Sequence, residues 1–167
     1  MTSAAPAVEV RVARPAEFAA IGDLTARVYI DGGFSPPASD ATLRDSRGRA
    51  RSALLLVAVT PSGEVAGTVT FIAKASALAQ VRREYETEFR MLAVDPGLRR
   101  NGIGEALVLD CIARARRAHR QAVVLSTQES MLAAHSLYER LGFVRDPHRD
   151  WERNNGRRML VYRLALV

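Results

Sequence analysis

The sequence predicts an α/β protein of the α+β kind, with a central mixed β-sheet flanked by about four helices. Three observations predict it. Residues 89–94 (FRMLAV) are apolar apart from Arg90, the pattern of a strand covered on both faces. Asp95-Pro96-Gly97 ends that strand, and a helical pattern opens directly after the glycine turn that follows. Around this stretch the patterns run β-α-α-β-β-β-α-β-α-β-β, an order that calls for helices on both faces of one sheet.

Taken in order, residues 1–7 are small and proline-rich and read as a disordered tail; residues 8–167 read as one domain. Val8 to Val12 alternates as a half-buried strand. Pro15 suits a first helical turn, and Phe18, Ile21, Leu24 and Val28 carry a helical spacing to about Ile30. Asp31 to Ser39 is a loop, and Ala41 to Ser52 a short second helix with Leu43 inward. Ala53–Thr60 and Val65–Ala73 form a hairpin around Pro61-Ser62-Gly63-Glu64. Residues 74–86 connect to the central strand, with room for one helical turn.

Ile103, Ala106, Leu107 and Cys111 make the inward stripe of a third helix, whose far end is crowded by Arg114, Arg116, Arg117 and His119. Gln121 to Thr127 is a strand. Met131, Ala134, Leu137, Tyr138 and Leu141 mark a fourth helix stopped by Gly142. Phe143-Val144 opens a strand, Asn154-Asn155-Gly156 signals a hairpin turn, and Leu160 to Leu166 alternates as the last strand.

At 167 residues, 48% hydrophobic and 25% charged, the composition is that of an ordinary globular domain. No apolar run reaches membrane-spanning length, and the N-terminus lacks a signal-peptide pattern. One cysteine excludes an internal disulfide, which fits a reducing compartment and a cytoplasmic location. The net charge of +6 rests on arginine, with Lys74 the only lysine, and suits anionic ligands. Nucleic acid is a distant partner on this reading. The arginines lie scattered, without an aromatic-interleaved basic strand.

Chemistry concentrates in Arg99-Arg100-Asn101-Gly102-Ile103-Gly104. A strand, a basic glycine turn and a helix N-terminus make an anion site: unpaired amides, the helix dipole and absent side chains all favour phosphate oxygens. Neither GxGxxG nor a Walker lysine is present. The spacing of Arg99, Gly102 and Gly104 is R-x-x-G-x-G. A second segment, Ala134 to Phe143, reads A-x-x-L-Y-x-x-x-G-F around Tyr138. With both motifs in order, the chain after residue 7 resembles the GCN5-related N-acetyltransferases (GNAT).

That resemblance implies the acyl-CoA N-acyltransferase fold and acetyl-CoA as co-substrate. It implies that Arg99, Arg100, Asn101, Gly102, Ile103 and Gly104 hold the pyrophosphate. Backbone amides near Met91, Leu92 and Val94, at a bulge in the central strand, would serve the pantetheine and the thioester carbonyl. Tyr138 would protonate the departing thiolate; by spacing alone it is a core-edge aromatic. Family members often carry an asparagine where this chain has Met131, which leaves either Ser130 as the replacement donor or the contact unfilled. Glu88 aligns with strand glutamates that act as base, with burial raising its pKa. Equally, Glu84, Glu86 and Glu88 can pair with Arg82, Arg83 and Arg90 as a solvated cluster.

Cys111 reads as a core thiol, and His119, His135 and His148 have no ligand-like spacing, so no metal is expected. Trp151 and Phe34 sit in loops flanking the acceptor side in this fold, where packing is their expected role. The implied function is acetyl transfer to a primary amine, small molecule or peptide, by direct attack in a ternary complex. A non-catalytic acyl-CoA sensor is the alternative. No membrane partner is expected, and a homodimer through the last strands is an arrangement the fold allows.

Overall fold

The computed structural model describes residues 7–166, so the expected tail falls, but for Ala7, outside the described residues. The strands are β1 (Glu9–Val12), β2 (Leu54–Val59), β3 (Val65–Ile72), β4 (Glu86–Val94), β5 (Ala122–Gln128), β6 (Val144–Arg145), β7 (Trp151–Glu152) and β8 (Arg158–Ala165). The helices are α1 (Phe18–Ala26), α2 (Asp40–Arg44), α3 (Ser46–Ser52), α4 (Ile103–Arg117) and α5 (Leu132–Arg140). The strands form one sheet in the order β1-β2-β3-β4-β5-β8-β6, with β7 on β8. β4 and β5 are parallel, while β1–β2, β5–β8, β6–β8 and β7–β8 are antiparallel. A parallel pair needs a long crossover, which α4 supplies.

Contacts gather into two compact units: residues up to Thr70 with Met91–Asp110, and Phe71–Arg90 with Cys111 onward. The chain passes from one to the other inside β3, β4 and α4. In the first unit, Ile21 of α1 packs on Leu55, Val57 and Val59 of β2, and Leu24 and Val28 pack on Ala93. In the second, Ala122 to Leu125 of β5 are wholly buried and pair with β8 from Ala122↔Ala165 to Gln128↔Met159.

Three elements differ from the sequence reading. The second helix is broken in two at Asp45, whose backbone leaves the helical region (φ −77°, ψ 65°) and whose carboxylate accepts the Gly48 N–H at 2.9 Å. An aspartate offering that local alternative ends one helix and caps the next. β4 begins at Glu86, the last residue read as connection, and Glu86, Thr87 and Glu88 are buried and paired despite their polarity. The connection before it contains turns and no helix, and β7 is an added two-residue strand. α1 runs on as a π-helical turn, Arg27–Asp31. The Asn154–Gly156 turn lies between β7 and β8, as its sequence predicts.

Gly22 sits where α1 meets α2: a Cβ there would stand 2.6 Å from the Arg44 carbonyl oxygen. Alanine ordinarily favours a helix interior by up to about 1 kcal/mol. Here the sign reverses, because the neighbour is backbone. Gly22→Ala is expected to lower the thermal midpoint by roughly 3–10 °C, as overpacking of about 1–3 kcal/mol does in a domain of this size. A calorimetric scan of the two proteins checks it.

Candidate active site

In the first unit, the end of β4 and the start of α4 form the glycine loop. Met91 adopts φ 56°, a left-handed backbone inside a strand, which interrupts the pleat three residues after the last parallel pair, Glu88↔Val124. The Tyr29 hydroxyl, on the π-helical turn, donates to the Leu92 carbonyl at 3.1 Å, and the Tyr29 ring meets Phe34 edge-on at 6.4 Å. Asp95 accepts the Gly97 N–H at 2.8 Å and stands 3.4 Å from Arg27. Asn101 turns its side chain back to the Leu98 carbonyl at 3.0 Å, bracing the loop.

Arg99, Arg100 and Gly102 are exposed, whereas Ile103 is buried and anchors the first turn of α4. Arg100 (φ 67°) and Gly102 (φ 72°) are both left-handed, and a Cβ on Gly102 would meet nothing within 4 Å. Conformation rather than crowding explains this glycine. An open, left-handed turn with two exposed guanidinium groups, at the N-terminus of a helix of 15 residues, fits a pyrophosphate.

In the second unit, Tyr138 lies 5% exposed on α5, its ring 5.8 Å from Phe89, 5.9 Å from Phe143 and 5.9 Å from Tyr162. Tyr138 is thus more deeply set than a core-edge aromatic. Burial, with a hydrogen bond to Glu139, pushes the Tyr162 hydroxyl above its usual value. Met131 occupies the N-cap of α5 without a side-chain cap bond, and its sulfur receives the Thr127 hydroxyl at 3.5 Å. Ser130 is exposed, and among the described residues its hydroxyl has no partner.

The glutamates correct the expectation of a solvated cluster. Glu84 is exposed in a turn, and Glu86 and Glu88 are buried. Glu86 takes hydrogen bonds from Arg149 (2.9 and 3.0 Å), Arg163 (3.0 Å) and the Arg83 amide (3.1 Å). Burial alone would lift this carboxyl, but the hydrogen bonds from Arg149 and Arg163 outweigh it and hold the group below the usual carboxylate range. Glu88, 0% exposed, accepts the backbone N–H groups of Gln80 (2.8 Å), Val81 (2.7 Å) and Arg82 (3.2 Å). Arg90 donates to the Leu78 carbonyl at 2.9 Å. Three alternate residues of β4 thereby hold residues 78–83, a pattern set by the two-residue period of a strand.

Trp151 stacks under Arg153 at 5.7 Å. Among the described residues no group of three His, Cys, Asp or Glu side chains could hold a metal ion, and no helix is long and apolar enough to cross a membrane. Tyr29 and Arg149 escaped the sequence reading, because each gains its meaning only from a partner 63 residues away.

A family model described as the acetyltransferase (GNAT) family matches residues 19–143. The protein belongs to that family. Human N-alpha-acetyltransferase 30 is 50% identical over 56 residues, which are 34% of this chain and 16% of that protein; the chain therefore spans under a fifth of that relative. An acetyltransferase of the GNAT family from Staphylococcus aureus Mu50 superposes with a TM-score of 0.75 at 15% identity, covering 96% of this chain and 100% of the other. A GNAT family acetyltransferase from Brucella melitensis, solved in complex with acetyl-CoA, gives 0.65 at 22% identity, covering 96% and 89%. At these identities the two structures share the fold.

Glu86, with its pKa lowered on folding, contributes stability that is present above the ordinary carboxylate range and is lost as pH falls through that range. Glu86→Gln is expected to cost about 3 kcal/mol at neutral pH. The gap to the parent protein should narrow as the pH falls below the ordinary carboxylate range. Urea unfolding of both proteins at several pH values checks this.

Proposed function

We propose that the chain is an acetyl-CoA-dependent N-acetyltransferase that passes the acetyl group to a primary amine by direct attack in a ternary complex. The observation that carries this reading is the exposed left-handed turn at Arg100–Gly102, opening α4 directly behind a strand interrupted at Met91. Residues 8–167 act as one domain, a reading supported by β3, β4 and α4 each continuing from one compact unit into the other. The sequence's one cysteine, Cys111, is buried and can form no internal disulfide, which fits a cytoplasmic location.

Arg99 and Arg100, with the amides of Asn101 to Gly104, hold the pyrophosphate. The backbone of Met91, Leu92 and Val94 orients the pantetheine and polarises the thioester carbonyl, while Ser130 offers a hydroxyl near the start of α5. The neutral amine attacks the thioester carbon, charge gathers on the carbonyl oxygen, and the carbon–sulfur bond breaks. Tyr138 gives its proton to the departing thiolate, and the ammonium proton leaves to water. A fully buried carboxylate already engaged by three amides argues for Glu88 as the residue that positions segment 80–82 rather than as the base. The name of the human relative points to α-amino groups, so peptide N-termini lead the acceptor panel.

Release of CoA thiol from acetyl-CoA with peptides, amino acids and small amines is the direct test. Binding of acetyl-CoA without turnover on the whole panel would favour an acyl-CoA sensor. Gly102→Glu, which places a carboxylate in the phosphate cradle, is expected to weaken acetyl-CoA binding at least 100-fold by calorimetry, roughly the strength of two charge-assisted hydrogen bonds. Tyr138→Phe is expected to lower kcat about 100-fold, the usual share of a general acid, with acetyl-CoA affinity within about twofold. Steady-state kinetics separates the two effects.

A further inference from the structure

Two groups stand out among the arginines of the second unit. Arg145, Arg149, Arg158 and Arg163 pair with Asp150, Glu86 or Glu129. Arg82, Arg83, Arg116, Arg117 and Arg120 form no ion pair among the described residues. Two of them lie just before β4, and three lie between the last turn of α4 and the start of β5. The parallel register Glu86↔Ala122 sets the two chain segments side by side, and the Gln121 N–H donates to the Tyr85 carbonyl at 2.8 Å. The last turn of α4 leads into that pairing, with the Arg120 and His119 N–H groups donating to the carbonyls of Ala115 and Arg116.

An exposed aromatic stands in this cluster. Tyr85 is 55% exposed and adopts φ 68°, a left-handed backbone that is a true outlier for a bulky residue. His119, two residues before Gln121, is also left-handed, at φ 54°. Such a conformation costs on the order of 1–3 kcal/mol and persists where the surroundings enforce it. Its result is an exposed tyrosine that follows Arg82 and Arg83 in the chain and whose backbone meets the residue after Arg120. The Nε–H groups of Arg82 and Arg120 are moreover shielded from solvent with no acceptor among the described residues. Against these five cations, residues 82–85 and 116–121 carry one carboxylate, Glu84, which is exposed and makes no ion pair among the described residues.

We propose that Arg82, Arg83, Tyr85, Arg116, Arg117 and Arg120 form a docking surface for a single strand of nucleic acid. Guanidinium groups engage phosphates through two parallel N–H donors, and a base stacks on the tyrosine ring. A single strand meets both features at once, its phosphates on the guanidinium groups and a base on the ring, without needing the fold of a partner protein. The surface is built from the starts of β4 and β5 and the end of α4, away in sequence from the glycine loop. It stands or falls independently of acetyl transfer.

The probe is a fluorescent single-stranded oligouridylate of 20 nucleotides, titrated with the full chain by anisotropy. With five phosphate contacts, affinity is expected to fall about 100-fold between 50 and 200 mM salt. Arg116→Gln/Arg117→Gln, on an exposed helix end, should reduce the slope of log affinity against log salt by roughly 1.4. Tyr85→Asn keeps a residue that tolerates the left-handed backbone and removes the ring. It should weaken binding about tenfold with the salt slope unchanged. Circular dichroism confirms that each variant is folded. No binding at 50 mM salt, indifference to the arginine pair, or indifference to Tyr85→Asn would overturn the proposal. So would equal competition by polyphosphate of matched charge or by phosphatidylglycerol vesicles.

Discussion

Two carboxylates buried side by side in β4 set the terms for much of the second unit. An ion taken out of water is strongly unfavourable unless paired and hydrogen-bonded, so the chain around Glu86 and Glu88 has to supply donors. For Glu86 these come from Arg149, in the connection between β6 and β7, and from Arg163 of β8. For Glu88 they come from three successive amides of the connection before β4. Irregular segments that would otherwise be free to wander are thereby fastened to the middle of a sheet. The carboxylates do less to strengthen the fold than to make one arrangement of those loops much better than the rest.

Along β4 the demands change within nine residues. Its first half is pinned, polar on paper and buried in fact; at Met91 the backbone turns left-handed, and beyond it the strand leads into the glycine loop and α4. Tyr29 fastens the second half from another element, through the Leu92 carbonyl. The interruption is held at both sides by hydrogen bonds, which is how a locally unfavourable backbone persists.

Most of this architecture was legible in the sequence. Apolar runs revealed β2, β3 and the end of β4, helical spacing revealed α1, α4 and α5, and Asn154–Gly156 announced its turn. The loop at Arg99–Gly104 and the helix carrying Tyr138 were legible because short-range spacing encodes them. What stayed hidden was hidden for physical reasons. The burial of Glu86 and Glu88 stayed open, because polarity reads as exposure until the distant Arg149 and Arg163 and the amides of residues 80–82 are known. Asp45 split a helix through one side-chain hydrogen bond. The left-handed state of Met91 is a property no pattern of side chains announces, and the meeting of Tyr85 with Gln121 exists only once β4 and β5 lie parallel.

The choice of arginine over lysine has a bearing on self-modification. Acetyl-CoA at high local concentration acylates accessible amines without any enzyme, and a lysine so modified loses its charge. A guanidinium stays protonated and is a poor nucleophile. With Lys74 the only lysine, this chain offers the proposed co-substrate almost no side-chain amine. Its positive potential, including that of the glycine loop, is built from groups that the reagent it is proposed to carry leaves intact.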